Sequence, residues 1–343
     1  MLLQSRNMKV HTPRVFAVYM LLFSSISALG QQEEQIYTRP PYLTSGDTVA
    51  IVAPAGILKN REKSISKAME ILSSWGLHPV LGKHLYTKNN HFAGTDSQRA
   101  ADFQNAMDDP RVKAIWCARG GYGSMRILDK LDFTKFKKYP KWVVGFSDIT
   151  AFHGKLDRLG IQSIHGMMAA GLDLSQEISH ETQENIDTLK KALFGQPLQY
   201  RLNSSPFNKK GIAKGVIVGG NLSLLQACLQ SDANLDTAGK ILFIEEIGEY
   251  RYSIDRMLYS LKRAGYFNGL AALVVGEISK VRANTTPFGM SNEELILDVV
   301  KECDFPVLFH FPAGHGDKNR SMVFGEKVTL DVGVNQSKIT FEK

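Results

Sequence analysis

Short, nearly unbroken apolar runs alternate along the chain with segments whose apolar positions recur every three or four residues. Thr48–Val52, Val112–Ala118 and Trp142–Gly145 are runs of the first kind, and such runs suit strands buried on both faces. The intervening periodicity predicts a helix that ends near Trp75 with Gly76 as its stop. Thr95-Asp96-Ser97-Gln98 reads as a capping box for a helix running to Met107. Further helices are expected over Ser124–Leu131 and over Ile149–Leu159, where Gly160 ends the pattern. Strand and helix in strict alternation imply a parallel sheet covered on both faces. Ligands of such sheets lie beyond the carboxyl ends of the strands, and the loop Arg119-Gly120-Gly121-Tyr122-Gly123 and Ser147 both fall at that edge.

A polar-faced helix, Glu181–Leu193, leads into a looser stretch containing Pro197, Asn203, Ser204, Ser205 and Pro206. Residues 196–210 therefore read as a linker between domains spanning 44–195 and 211–343. Beyond it the pattern predicts a glycine-rich strand and turn (Gly215–Gly220), a helix (Leu222–Gln230) and a strand (Lys240–Glu245). A helix (Tyr252–Ala264), a strand (Ala271–Val275), a helix (Asn292–Cys303) and terminal strands over Lys327–Val332 and Lys338–Phe341 follow. The second half is thus expected to be mixed α/β with a β-rich end.

The first thirty residues depart from this pattern. Arg6, Lys9 and Arg14 precede the apolar stretch Val15–Ile26, and Ala28-Leu29-Gly30 gives way to the polar Gln31-Gln32-Glu33-Glu34. This is the layout of a secretory signal peptide cleaved near Gly30, which places the mature protein in the periplasm. No later stretch reaches the ~20 apolar residues of a membrane span, so no stable membrane insertion is expected. Removing 1–30 takes away three basic and no acidic residues, so the formal charge falls from +7 to +4. A scattered excess of that size, without a Lys/Arg-rich block, gives no reason to expect nucleic acid as a partner. Three cysteines without a Cys-x-x-Cys pair make neither a disulfide framework nor a zinc site.

Candidate chemistry begins at Trp142-Val143-Val144-Gly145-Phe146-Ser147-Asp148-Ile149-Thr150. A sharp strand-to-helix turn lifts a serine hydroxyl to the sheet edge and aims the following N–H groups at the atom it attacks. Ile149 stands where the usual nucleophile elbow has a second glycine. The competing reading makes Ser147 a helix cap, a role serine often fills. Strand Ile241–Ile244 runs into Glu245-Glu246, of which at most one faces a given site; the alternative is a solvated acidic edge. Phe311-Pro312-Ala313-Gly314-His315-Gly316 holds a histidine between glycines. A serine nucleophile needs a base, and the base needs a third group that fixes its tautomer. Ser147, Glu245 and His315 supply those types in a chain order known to build that geometry.

Seven blocks in order resemble the LD-carboxypeptidase family, the S66 serine peptidases. They are Val52–Gly56, Phe92–Thr95, Arg119–Gly123, Gly145–Asp148, Gly219–Leu222, Ile244–Glu249 with Asp255–Leu258, and Gly314–Gly316. The resemblance implies a flavodoxin-like N-terminal domain, a smaller C-terminal domain and an active site in the cleft between them. By position it makes Ser147 the nucleophile, His315 its base and Glu245 the residue that orients the base. It implies hydrolysis of the L,D-linked muropeptide tetrapeptide to release terminal D-alanine, with no metal or other cofactor, by a homodimer. A microcin-immunity branch of the family looks similar in these blocks and cleaves a different amide.

For the tetrahedral oxyanion the backbone N–H groups of Gly121 and Asp148 are nominated, and for substrate binding Arg119 and Tyr122. Arg119 has an equal alternative, tying down the glycine loop through backbone carbonyls. Gly121-Tyr122-Gly123 lacks the third glycine of a dinucleotide fingerprint, since Arg126 stands there, and no Walker lysine occurs. His310 and His315 lie in no His-Glu-x-x-His helix, which disfavours a zinc peptidase. The rival from another class is a non-catalytic periplasmic solute-binding protein, which has no need of Ser147, Glu245 and His315 together.

Overall fold

The structure, a computed structural model, describes residues 35–172 and 178–342; the expected signal segment 1–30 lies outside the described residues. Five strands, β1 (Thr48–Val52), β2 (His78–Leu81), β3 (Val112–Cys117), β4 (Trp142–Gly145) and β5 (Ser163–His165), form a parallel sheet. They alternate with helices α1 (Glu62–Ser74), α2 (Asp96–Asp108), α3 (Ser124–Leu128), α4 (Thr134–Lys138) and α5 (Thr150–Arg158). The strand order 2-1-3-4-5 is flavodoxin-like. The capping box forms as read: Gln98 N–H donates to Thr95 Oγ1 (3.2 Å) and Thr95 N–H to Gln98 Oε1 (2.9 Å).

The second half supplies α6 (His180–Leu193), β6 (Gln199–Asn203), β7 (Gly211–Asn221), α7 (Leu222–Ala227) and β8 (Ile241–Ile247). It continues with α8 (Arg251–Arg263), β9 (Ala272–Ser279), α9 (Asn292–Val299), β10 (Val307–Leu308), β11 (Met322–Phe324), β12 (Lys327–Val332) and β13 (Gln336–Phe341). Seven of these strands make a mixed sheet ordered 10-9-8-7-12-13-6, parallel from β10 to β7 and antiparallel from β7 to β6.

Two features cross the simple division into halves. β11 leaves the second half to pair antiparallel with β5 at the edge of the first sheet. The stretch read as linker carries β6, whose side chains alternate between exposed and buried against β13. One apolar cluster joins the inner faces of both sheets, from Trp116, Trp142 and Val144 to Ile217, Phe243 and Val274. Separate clusters under α2 and α5 and under α8 and α9 cover the outer faces. Among the described residues no helix is long and apolar enough to cross a membrane.

Candidate active site

The turn after β4 removes one of the two readings of Ser147. Phe146 is extended, Ser147 has φ +58°, and a single 3-10 turn, Ser147–Ile149, leads into α5. No side chain caps the start of either helical segment, so Ser147 is not a cap. A left-handed conformation costs a non-glycine residue about 1–2 kcal/mol, and it persists only where the surroundings over-determine it. Gly145 provides part of that constraint. A Cβ there would stand 2.8 Å from Ile149 Cγ1, so the isoleucine in place of a second glycine packs into space the first glycine leaves open.

Ser147 meets a histidine 168 positions away. His315 Nε2 lies 2.9 Å from Ser147 Oγ and Nδ1 lies 2.7 Å from Glu245 Oε2. A carboxylate only accepts, so Nδ1 carries the proton and Nε2 presents its lone pair to the serine hydroxyl. Glu245 is 0% exposed and the His315 side chain 14%, which shields the bond between them from water. The Phe146 ring packs against the imidazole, 4.8 Å between centroids. The loop is tied beneath by Glu277 N–H to Ala313 O (2.9 Å) and Arg320 N–H to Pro312 O (2.9 Å). Gly314, at φ +147°, leaves room for Glu277, whose Cβ would lie 2.9 Å from an added Cβ.

The acidic pair at the end of β8 is not a solvated edge. Glu245 and Glu246 are both buried, and the pairing with β9 shifts register between Ile244 and Glu246. Glu245 turns to His315. Glu246 instead accepts from Ser223 N–H (2.7 Å), Ile247 N–H (2.8 Å) and Asn221 Nδ2 (3.1 Å). Burial, joined by the charge of Glu245, pushes the Glu246 carboxyl up, opposed by those donors. Asn221 in turn caps α7 and donates its N–H to Thr150 Oγ1 on α5 (2.9 Å).

Three loops meet at the carboxyl ends of β1 and β3, the point where the strand order reverses. Gly56 N–H donates to Gly120 O (2.9 Å), and a Cβ on Gly56 would lie 2.7 Å from that oxygen. Gly121 has φ +95°, a left-handed conformation that favours glycine. Arg119 is exposed and its guanidinium donates to the Ile57 carbonyl, a contact of the tying kind. Tyr122 is 48% exposed, its ring 5.9 Å from that of Phe92. Sequence reasoning missed Arg99. It is buried and donates to the carbonyls of Pro54 and Gly123 (the latter 2.8 Å), holding two loops at once while pairing with Asp96. Its only sequence signal is its place directly after the capping box.

The LD-carboxypeptidase N-terminal domain (Peptidase S66) matches residues 49–166 and the LD-carboxypeptidase C-terminal domain residues 214–330. The chain is 35% identical over 301 residues to a Bacillus subtilis protein named "Probable murein peptide carboxypeptidase", covering 85% of this chain and 91% of that protein. It is 30% identical over 289 residues to the murein tetrapeptide carboxypeptidase of Pseudomonas aeruginosa, covering 82% and 92%. The muramoyltetrapeptide carboxypeptidase from Oxalobacter formigenes superposes with a TM-score of 0.77 at 26% identity, over 86% of this chain and 99% of that one. The microcin C7 self immunity protein MccF in complex with aspartyl sulfamoyl adenosine gives 0.76 at 21% identity over 88% and 98%, a likeness of fold. With the hydroxyl, imidazole and carboxylate aligned on a fold its relatives share, the chain belongs to the LD-carboxypeptidase family S66 of serine-type carboxypeptidases.

Proposed function

We propose that the protein removes the terminal D-alanine from L,D-linked tetrapeptides of peptidoglycan through an acyl-enzyme on Ser147. The observation that carries this reading is the continuous hydrogen-bonded path from Ser147 Oγ through His315 to Glu245. His315 Nε2 takes the serine proton as Oγ attacks the carbonyl of the L-residue, and the buried Glu245 carboxylate stabilises the imidazolium. The N–H groups of Asp148 and Gly121 receive the oxyanion, a contribution of about 3 kcal/mol per donor. His315 then protonates the departing amine of D-alanine, and water resolves the ester by the reverse sequence. Arg119 or Tyr122 receives the substrate's free carboxylate, the exposed tyrosine offering its hydroxyl.

The nucleophile belongs to an N-terminal domain over 44–195, and the base and carboxylate to a C-terminal domain over 211–343. The first thirty residues direct export to the periplasm, where cell-wall peptides are the available substrate, and the mature protein works as a homodimer. Incubation with defined muropeptides, read by mass, tests the reaction. Loss of one D-alanine from tetrapeptide by the wild type and not by Ser147→Ala supports it. Cleavage only of an acyl-sulfamoyl nucleotide would move the protein to the immunity branch.

A further inference from the structure

The residue after the nucleophile has a side chain that the mechanism above does not use. Asp148 is 0% exposed, yet its Oδ2 accepts from the backbone N–H of Ser124 (2.8 Å), and Oδ1 has no hydrogen-bond partner among the described residues. Burial pushes the carboxyl up, opposed by Ser124 and by the nearby charges of Arg99 and His91. Burying a carboxylate with half its acceptors idle is costly, so packing alone gives no reason for an aspartate here.

Ser124 opens α3 directly after the loop Gly120–Gly123, the loop that carries Gly121. The same loop lies on the elbow. A Cβ on Gly120 would stand 3.3 Å from both Asp148 N and Asp148 Cβ, and 3.0 Å from Met168 Cε. Arg99 holds the far end of the loop at the Gly123 carbonyl. We propose that Asp148 is a positioning residue for the oxyanion hole, its carboxylate clamping the loop that bears the Gly121 N–H against the turn that bears the Asp148 N–H. The clamp sets the spacing of two donors that belong to different loops. This rests on the assignment of those donors in the proposed mechanism.

The test reads the oxyanion hole without relying on the natural substrate. A fluorophosphonate forms a Ser147 Oγ–P bond, expels fluoride and passes the hydroxyl proton to His315, while its phosphoryl oxygen occupies the hole. Asp148→Ala should be labelled on the order of 10²-fold more slowly than wild type, the usual loss for one oxyanion donor. kcat for D-alanine release should fall by the same factor, with KM within about threefold. Asp148→Asn keeps an acceptor for the Ser124 N–H and should recover at least tenfold of that loss, an arm that needs only a folded asparagine variant. Asp148→Ala labelled at the wild-type rate, a KM that rises in step with the loss, or an asparagine variant as slow as alanine would each overturn the clamp. The labelling pattern seen without muropeptide turnover by wild type would keep the clamp and remove the substrate assignment.

Discussion

Exchanging each carboxylate of the β8 pair for its amide should separate chemistry from stability in opposite directions. Glu245→Gln removes the charge that stabilises the imidazolium, and the amide NH2 can also donate to His315 Nδ1, which would place the proton on Nε2 and end its role as base. A loss of about 10³–10⁴ in kcat is expected, the scale of such an exchange in a serine triad. Stability should hold or rise, because the exchange removes a fully buried charge whose Oε1 has no partner among the described residues. Glu246→Gln faces three donors with one oxygen. Keeping that oxygen toward Asn221 and Ile247 turns its NH2 on the Ser223 N–H, which sacrifices a charge-assisted bond of about 1.5–3 kcal/mol. Relief of the buried charge offsets part, leaving about 2 kcal/mol. With an unfolding entropy of about 2 cal/mol/K per residue over roughly 300 residues, this lowers Tm by ~3 °C. D-alanine release from an L,D-linked tetrapeptide and thermal unfolding of both variants give the comparison. A Glu246→Gln protein that is inactive but as stable as wild type, or a Glu245→Gln protein with a tenth of normal turnover, would refute the division of roles.

Ser147→Ala and His315→Ala should each abolish turnover, and the double variant should be little worse than either, since nucleophile and base act as a unit; additive losses in D-alanine release would contradict this. Gly314→Ala puts a Cβ 2.9 Å from Glu277 Cβ at φ +147°, so kcat should drop at least tenfold through displacement of His315, and an unchanged kcat would argue that the loop is slack. His153 lies under the elbow with Nε2 on Gly145 O (3.0 Å) and Nδ1 on Ser163 Oγ (2.8 Å), and burial pushes it down to about 4. The unfolded chain binds that proton near pH 6.5, so this group's stabilisation is complete above that pH and fades by up to about 3 kcal/mol as pH falls toward 4. The stability of wild type relative to His153→Gln should therefore decline between pH 7.5 and 4.5, and a pH-independent difference from denaturant titrations would remove that account. N-terminal sequencing of exported protein should begin near Gln31, whereas full-length chain held in the cytoplasm would contradict export.

Where the apolar pattern has one dominant cause, the fold could be read from it. β1, β3 and β4 are covered on both faces, so their runs stay apolar and their bounds are found within a residue. The α2 cap was legible because its reciprocal bonds need Thr95 and Gln98 at fixed spacing. β6 was hidden because an edge strand buries only one face, and Tyr200 between Gln199 and Arg201 sits amid loop-forming prolines and serines. β11 was hidden because pairing with β5, 157 to 161 positions away, leaves no local trace. At the site, Ser147, Glu245 and His315 stood out by type and chain order, and the structure joins them by hydrogen bonds. The function of Glu246 was not, because a carboxylate that holds backbone donors looks in sequence like one that faces water.

The meeting of Ser147 with Glu245 and His315 has a structural cause in the joint between the two sheets. β7 ends at Asn221, directly across the ladder from Glu245. The N–H of Asn221 is bound by Thr150, three residues after Ser147, and its side chain is bound by Glu246. Gly220 allows this approach, because an added Cβ would lie 2.3 Å from Thr150 Oγ1. At the other end of α5, Asp157 pairs with Lys240, immediately before β8 (3.2 Å). Both ends of the helix that follows Ser147 are therefore fastened to the strand pair that presents Glu245. The elbow is fixed to the second sheet by four residues outside the triad, and the glycine and asparagine of the Gly219–Leu222 block are there to make that joint close.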